Sequence, residues 1–317
     1  MKLHHLEALV SVADAGSIRA AARLLQLSQA AVTKALRELE SEQQLALFVR
    51  TAGGVSFTDA GHRLLKHARL VIGQMERASE ELAKLRGDQA GKLTIAVTPL
   101  VMVTFLAETV SLFRKQMPSI QLEIFEGLTA VALPRLREGA LDFGILALAV
   151  ALTDQEFDIE PLFGYEPRVM ARRGHPSAGK HSLHDLLDQN WAVNFTPASY
   201  ESLMQRMFWQ HGAKIAPARL HGAHSYSLML ELVQYCDMLT WAPGPLLLTE
   251  SMRDWAQALT LDEQFETRHV SVISLRNAMR SQAAKCFIDC LCKVIRTRSR
   301  SASEANRTLF DRLELLL

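Results

Sequence analysis

Apolar residues in the first third of the chain recur at helical spacing, in runs separated by short polar turns. Leu3, Leu6, Leu9, Val10 and Ala13 mark a first helix. Ser17 opens a second, where its hydroxyl can accept a free backbone N–H, and Ala20, Ala21 and Leu24 give it a small apolar face. Ser28 caps a third, which buries Ala31, Val32, Ala35, Leu36 and Leu39 and leaves Gln29, Ala30, Thr33, Lys34 and Arg37 on its outer side. Two short extended runs around Gly53-Gly54 then read as a hairpin. One long helix follows from Asp59 to Arg86, on which Leu64, Ala68, Val71, Met75, Ala78, Leu82 and Leu85 step alternately by four and three residues. That spacing is the a/d seam of a coiled coil, so the stripe is expected to pair with a second copy rather than lie on its own domain.

Beyond Gly87 the pattern changes. Residues 88–91 are polar and Gly-bearing and read as a hinge. Extended runs at 93–97, 120–125 and 141–146 alternate with helical runs from Pro99 to Gln116 and from Thr129 to Glu138. Short strands separated by helices predict parallel α/β packing with right-handed crossovers. Residues 268–275 read as a later strand returning to the same sheet, and the apolar stretch 145–153 is expected to line a subunit contact.

The pair of helices after Ser17 and Ser28, packed through small residues and ending in a slim, polar, basic outer face, suits a helix-turn-helix that reads the DNA major groove. An antiparallel helix pair with a merely wet face is the alternative. Gly16-Ser17, Ala20-Ala21-Ala22, Leu27-Ser28-Gln29, Leu36 to Glu40, Leu47-Phe48, Arg50-Thr51, Gly54-Val55 and the run from Phe57 to Gly61 resemble the winged helix-turn-helix of LysR-type transcriptional regulators. The resemblance continues through Glu126-Gly127, residues 136–144 and Gly174-His175-Pro176, and weakens after residue 180. It implies an α+β head joined to an α/β body: a winged helix-turn-helix over 1–58, a linker helix over 59–87 and the hinge at 88–91. An effector domain like the two-lobed periplasmic binding proteins would follow, with lobe I from 92–161 and 268–298, lobe II from 162–267, and a C-terminal tail over 299–317. It also implies a homodimer through the linker helices, a homotetramer and contact with RNA polymerase. The chain departs from the family at Ala30, where many relatives have Pro, at Ala52-Gly53-Gly54, where a basic residue is common, and at Gln44, where Gly is common. Tyr235-Cys236-Asp237-Met238 also stands where relatives often have a Gly-rich turn.

Composition narrows the picture. Hydrophobic residues make up 49% and charged residues 22% of 317 residues, ordinary for a globular protein of two or three folding units. There is no apolar run of membrane-spanning length and no signal-peptide pattern, so a cytoplasmic protein is expected. Net charge is +1, yet residues 1–87 hold 12 Lys and Arg against 9 Asp and Glu, while residues 88–292 hold 17 against 22. A basic head on an acidic body fits phosphate contact at one end. The excess is modest, so affinity requires pairing and base contacts. Lys293, Arg296, Arg298 and Arg300 form a second basic run, read either as a patch or as a frayed solvated tail. Cys236, Cys286, Cys290 and Cys292 make no disulfide framework and read as buried or idle thiols, a redox sensor being the alternative.

For DNA, Ser28, Gln29, Ala30, Thr33, Lys34 and Arg37 form the expected reading face: Gln suits adenine, Lys suits guanine and a Thr methyl can pack on thymine. Arg19, Arg23 and Arg50 are expected at phosphates. For a ligand, loops at strand C-terminal ends, where helix N-termini offer free N–H groups, place Thr98, Pro99, Thr129, Thr196 and Ser199, each also readable as a simple cap. Phe195 stands in the same run as Thr196, family position adds His224 and Trp241, and the set points to a small anionic or aromatic effector. No cofactor and no metal are expected: the eleven histidines show no paired spacing near a carboxylate, and His4-His5, His62 and His67 read as surface residues. No P-loop, dinucleotide fingerprint, nucleophile elbow or zincin motif occurs, so an enzyme is not expected. A solute-binding protein would need a leader in place of the head, and an architectural DNA binder would need no two-lobed body.

Overall fold

A computed structural model of the chain describes residues 1–51, 54–85, 91–149, 156–276 and 278–317. Two compact units divide it, Met1–Gly91 with Arg137–Ala140, and Lys92–Leu136 with Leu141–Leu317.

The first unit, the head, contains α1 (Leu3–Ala15), α2 (Ile18–Leu24) and α3 (Gln29–Gln43), then the hairpin β1 (Phe48–Thr51) and β2 (Gly54–Phe57), then α4 (Asp59–Leu85). Both expected caps form: Ser17 Oγ accepts from Ala20 N–H at 3.2 Å and Ser28 Oγ from Ala31 N–H at 3.1 Å. The core joins Leu6, Leu9, Val12, Ala21, Val32, Leu36, Leu39 and Leu47, each of the large side chains contributing about 1.5–3 kcal/mol by leaving water. Gln44 ends α3 in the left-handed region, φ 52°, so the turn keeps a Gly-like geometry despite its side chain. Glu40 Oε1 accepts from the N–H groups of Leu47 and Phe48, which fixes the first strand of the wing against α3. Gly61 is obligatory: a Cβ there would lie 2.1 Å from the Leu47 carbonyl oxygen.

The long helix departs from expectation in one respect. Leu65 and Ala68 are buried in the head core, with Leu64 and Ile72 packed against it. Leu64 and Ala68 therefore serve the chain's own fold, because the N-terminal part of α4 lies on α1. Val71, Met75, Ala78 and Leu82 are exposed, and the side chain of Leu85 lies outside the described residues.

In the second unit, lobe I is built from β3 (Gly91–Val97), α5 (Pro99–Thr104), α6 (Leu106–Gln116), β4 (Ile120–Glu126), α7 (Thr129–Arg137), β5 (Phe143–Ala149) and β6 (Phe157–Tyr165). Lobe II holds β7 (Pro167–Arg172), β8 (Trp191–Val193), α8 (Pro197–Met207), β9 (Leu220–Gly222), α9 (Tyr226–Tyr235), β10 (Thr240–Pro243) and β11 (Ala256–Ala258). The chain then returns to lobe I as β12 (Arg268–Leu275), α10 (Gln282–Ser299), α11 (Glu304–Phe310) and β13 (Glu314–Leu315). The lobe I sheet has the order β13-β6-β12-β5-β3-β4. β3 and β5 are parallel, while the returning β12 lies antiparallel to both β5 and β6. In lobe II, β7 sits antiparallel between β10 and β11, and β8 runs parallel to β9.

Five expectations change here. The helix expected from Pro99 to Gln116 is broken at Phe105 into α5 and α6. Lobe I extends to Tyr165 rather than 161, because β6 stays paired with β12 to that residue. The tail is structured: Glu314 and Leu315 pair with Gly164 and Phe163, and Leu309 and Leu313 enter the lobe I core. Arg298, expected in a basic patch or frayed tail, donates to Asn306 Oδ1 at 2.9 and 2.7 Å and stands 5.5 Å from the Phe105 ring. Finally, residues 145–149 form strand β5, and Leu148 is 4% exposed within the chain's own core, so it is no subunit contact. Residues 150–153 lie outside the described residues, as does most of the expected hinge at 88–91.

Candidate functional site

The head presents one polar face. Arg19, Arg23, Ser28, Gln29, Ala30, Lys34 and Arg37 are exposed, and Thr33 is half-buried. The opposite side of α3 carries Val32, Leu36 and Leu39 at 0–3% exposure, so the outer residues ride on a helix that the core holds in place. Thr33 Oγ1 donates to the Gln29 carbonyl at 2.8 Å, which leaves its methyl as the group free for contact. Lys34 Nζ lies 3.7 Å from Glu38 Oε1. Arg50 pairs with Val55 across the wing hairpin; its side chain, and residues 52–53, lie outside the described residues.

In the body, the expected residues gather at strand ends in two groups. In lobe I, Thr98 follows β3 and its N–H donates to the Ile145 carbonyl at 2.8 Å, while Thr129 Oγ1 donates to the Ala147 carbonyl at 3.0 Å. Thr98 makes no side-chain cap, and Pro99 is buried at the start of α5. Gly127 draws the two loops together, since a Cβ there would stand 2.6 Å from the Val97 carbonyl carbon. In lobe II, the parallel ends of β8 and β9 place Asn194 Nδ2 3.1 Å from the Ala223 carbonyl oxygen and 3.3 Å from His224 Nδ1. Phe195 stands beside the same turn, close to Gly222. Thr196 N–H donates to Ser199 Oγ at 2.9 Å, so these hydroxyls cap α8. Trp241 departs from the group. It stacks on Trp191 at 5.5 Å and meets Phe265 at 4.4 Å, in the lobe II aromatic cluster. The two groups are tied by Glu126 at the end of β4, whose Oε1 accepts from Tyr226 N–H at 2.7 Å. Burial, and then the Glu126 charge, push the Tyr226 hydroxyl well above the ordinary phenol range.

Sequence reasoning missed two cations. Arg268 begins β12 opposite Ala149, at the C-terminal end of β5, and its Nη2 lies 4.0 Å from Met207 Sδ on α8. Arg206 is on the same helix, with a buried Nε that has no hydrogen-bond partner. Burial lowers the proton affinity of both, and for Arg206 the Arg268 charge adds to it, while the Glu266 charge opposes the lowering at both. Two half-buried guanidiniums near a row of strand ends favour an anion. Both come from helix or strand termini far apart in sequence, and no local motif marks them.

A cavity of about 770 Å³, within the size range of small-molecule sites, lies elsewhere. It is lined by residues including Glu166, Arg168, Arg173, Asp311, Arg312 and Glu314, where the chain crosses between lobes and meets its C-terminal strand. None of the expected ligand residues lines it, and its charges are mixed in sign.

The cysteines are free thiols. Cys286 and Cys290 are buried against the Gln116 amide at 3.3 and 3.6 Å, and burial with Cys286 alongside pushes the Cys290 thiol up to about 11, an unreactive state. His5 corrects the surface reading, being fully buried in the head. Among the described residues no helix is long and apolar enough to cross a membrane.

Residues 3–62 match the family model described as the bacterial regulatory helix-turn-helix protein, lysR family, and residues 86–296 match the LysR substrate binding domain. The transcriptional regulator TdcA of Escherichia coli K12 is 28% identical over 242 residues, covering 76% of this chain and 77% of TdcA. A full-length OxyR variant from Pseudomonas aeruginosa superposes with a TM-score of 0.62 at 19% identity over 97% of both chains. Full-length CbnR in complex with its target DNA superposes at 0.55 and 17% identity, over 93% of this chain and all of CbnR. With both models matched in this order along one chain, the protein belongs to the LysR family of DNA-binding transcriptional regulators, its head carrying the helix-turn-helix and its body the effector-binding domain.

Proposed function

We propose that two copies of the chain pair through the exposed part of α4, bind an interrupted two-fold symmetric DNA site with their α3 helices, and associate further into a tetramer that contacts RNA polymerase. The observation that carries the reading is the exposed set Gln29, Lys34 and Arg37 on a capped helix whose other face is wholly core. Exposed Val71, Met75 and Leu82 continue the heptad stripe beyond the part of α4 used by the head, and they support pairing there. The chain acts by binding, with no catalytic step.

The effector in this reading is a small anion held at the strand ends between the lobes. Thr98, Thr129, Phe195 and His224 surround it, and Arg206 and Arg268 supply the charge. The mixed charges of the larger cavity give it no such preference. A ligand acts only through different affinities for two arrangements, so the effector must favour one lobe or subunit geometry over the other. Head spacing, and hence DNA bending, changes with it.

Footprinting of the full-length protein on the DNA upstream of its own gene, at two salt concentrations, tests the DNA half. An interrupted palindrome still protected at about 0.2 M salt is expected. Diffuse protection that vanishes with salt would reduce the reading to phosphate attraction. An effector that leaves footprint length and bend unaltered would remove the proposed control.

A further inference from the structure

His4 and His5 begin α1, and the sequence gives no reason to treat them differently. The structure does. His5 is completely buried between α1 and α3, whereas His4 is exposed. A buried imidazole needs partners for both nitrogens. Nε2 has one, Glu38 Oε2 at 3.3 Å. Nδ1 makes no hydrogen bond, and the nearest carboxylate oxygen, Glu42 Oε2, is 3.9 Å away. The His4 ring meets the His5 ring edge-on at 4.3 Å, and one ligand atom from each of His4, His5 and Glu38 falls within 4.8 Å of the others.

Two imidazole nitrogens and one carboxylate oxygen are the donor set of borderline divalent metals. The 3.3 Å between His5 Nε2 and Glu38 Oε2 is close to the spacing of about 3.4 Å between tetrahedral ligands at about 2.1 Å from an ion. A simple His–Glu hydrogen bond accounts for Nε2, but not for the unpartnered Nδ1 or for the approach of His4. We infer that His4, His5 and Glu38 form a binding site for a divalent transition metal of the zinc class, with Glu42, 3.9 Å from His5 Nδ1, as the outer carboxylate that closes on Nδ1–H when the ion binds. Such an outer partner fixes the tautomer that leaves Nε2 free to ligate. Glu42 also pairs with the Met1 ammonium, which holds it beside the site.

The site ties α1 to the reading helix. Its Glu38 is shared, since Oε1 of the same carboxylate faces Lys34 Nζ at 3.7 Å. An ion that takes up the Glu38 charge releases Lys34 toward DNA, so occupancy strengthens DNA binding. This second consequence rests on the reading role of Lys34; the metal site itself does not.

The test uses the full chain without a histidine tag, treated with chelator and titrated with Co²⁺. One Co²⁺ per chain is expected, with the strong visible bands of tetrahedral coordination. His4→Ala and Glu38→Gln each weaken binding by more than about tenfold, and Glu42→Gln by about tenfold. His62→Ala, at an exposed histidine elsewhere on the head, leaves it unchanged. Because His4 is exposed, its variant keeps the head core intact. Absence of saturable Co²⁺ binding, or binding that His4→Ala does not alter, overturns the site. A parallel DNA titration with Zn²⁺ is expected to show tighter binding that Glu38→Gln abolishes; equal affinity with and without Zn²⁺, in a protein that binds Co²⁺ as described, overturns the link to Lys34 alone.

Discussion

The head and the body place their polar residues in opposite ways. In the head, Gln29, Lys34 and Arg37 stand on one helix whose other face is closed core, so nothing need move before they meet a partner. In the body, the residues come from the ends of β3, β4, β8, β9 and β12, on two lobes, and several of their hydroxyls are already engaged: Thr129 donates to the Ala147 carbonyl, and Ser199 accepts from the Thr196 N–H. On the proposed reading, recognition in the head is therefore preorganised, and a substitution there acts directly on affinity. On the same reading, recognition in the body depends on how far apart the loops are held, which is the property a regulatory ligand needs to bias.

Substitutions can break or sharpen that contrast. Gly61→Ala is the severest: the added Cβ meets the Leu47 carbonyl, and a loss of about 3 kcal/mol from the head is expected. Thermal unfolding should show the loss, with binding to every DNA sequence falling together. Lys34→Ala is a test of reading alone. It should cost about 2 kcal/mol on the cognate site and much less on random DNA, as measured by competition titration. Equal loss on both would sink the base-reading role. In the body, Arg268→Gln should remove about 1.5 kcal/mol of anion binding. The assay is the rise in melting temperature produced by a panel of mono- and dicarboxylates, and a wild-type protein indifferent to all of them would refute the anionic effector. Ser28→Ala deletes one cap and should cost the head about 1 kcal/mol while leaving the body's ligand response intact. Gln44→Gly relieves a left-handed φ of 52° and should raise head stability by at most about 1 kcal/mol, detectable as a shifted denaturation midpoint.

The long helix shows where a one-dimensional pattern stops being informative. Its heptad stripe is continuous in sequence, yet the structure divides it between two uses. Ala68 is 1% exposed in the head core, whereas Met75 is 49% exposed. Periodicity reports that a face is apolar and says nothing about what covers it. The tail has the same lesson in reverse: a basic, weakly patterned segment yields an edge strand and a half-buried Arg298 because lobe I offers an open β6 edge and the Phe105 ring.

The sequence by itself determined the local elements. Helix starts at Ser17 and Ser28, the wing hairpin and the alternation of strands and helices were all legible, because caps, turns and hydrophobic period act within a few residues. It also marked the exposed outer face of α3, since Gln29, Ala30, Lys34 and Arg37 lie on one helix whose capping and period are local. Only the tertiary structure decided which residues meet across the chain. It brought Arg206 to Arg268, drew Trp241 into the lobe II aromatic cluster, made Gly61 and Gly127 obligatory, and buried His5 against Glu38 and Glu42. Those contacts join residues far apart in sequence, and packing sets them, so no local pattern records them.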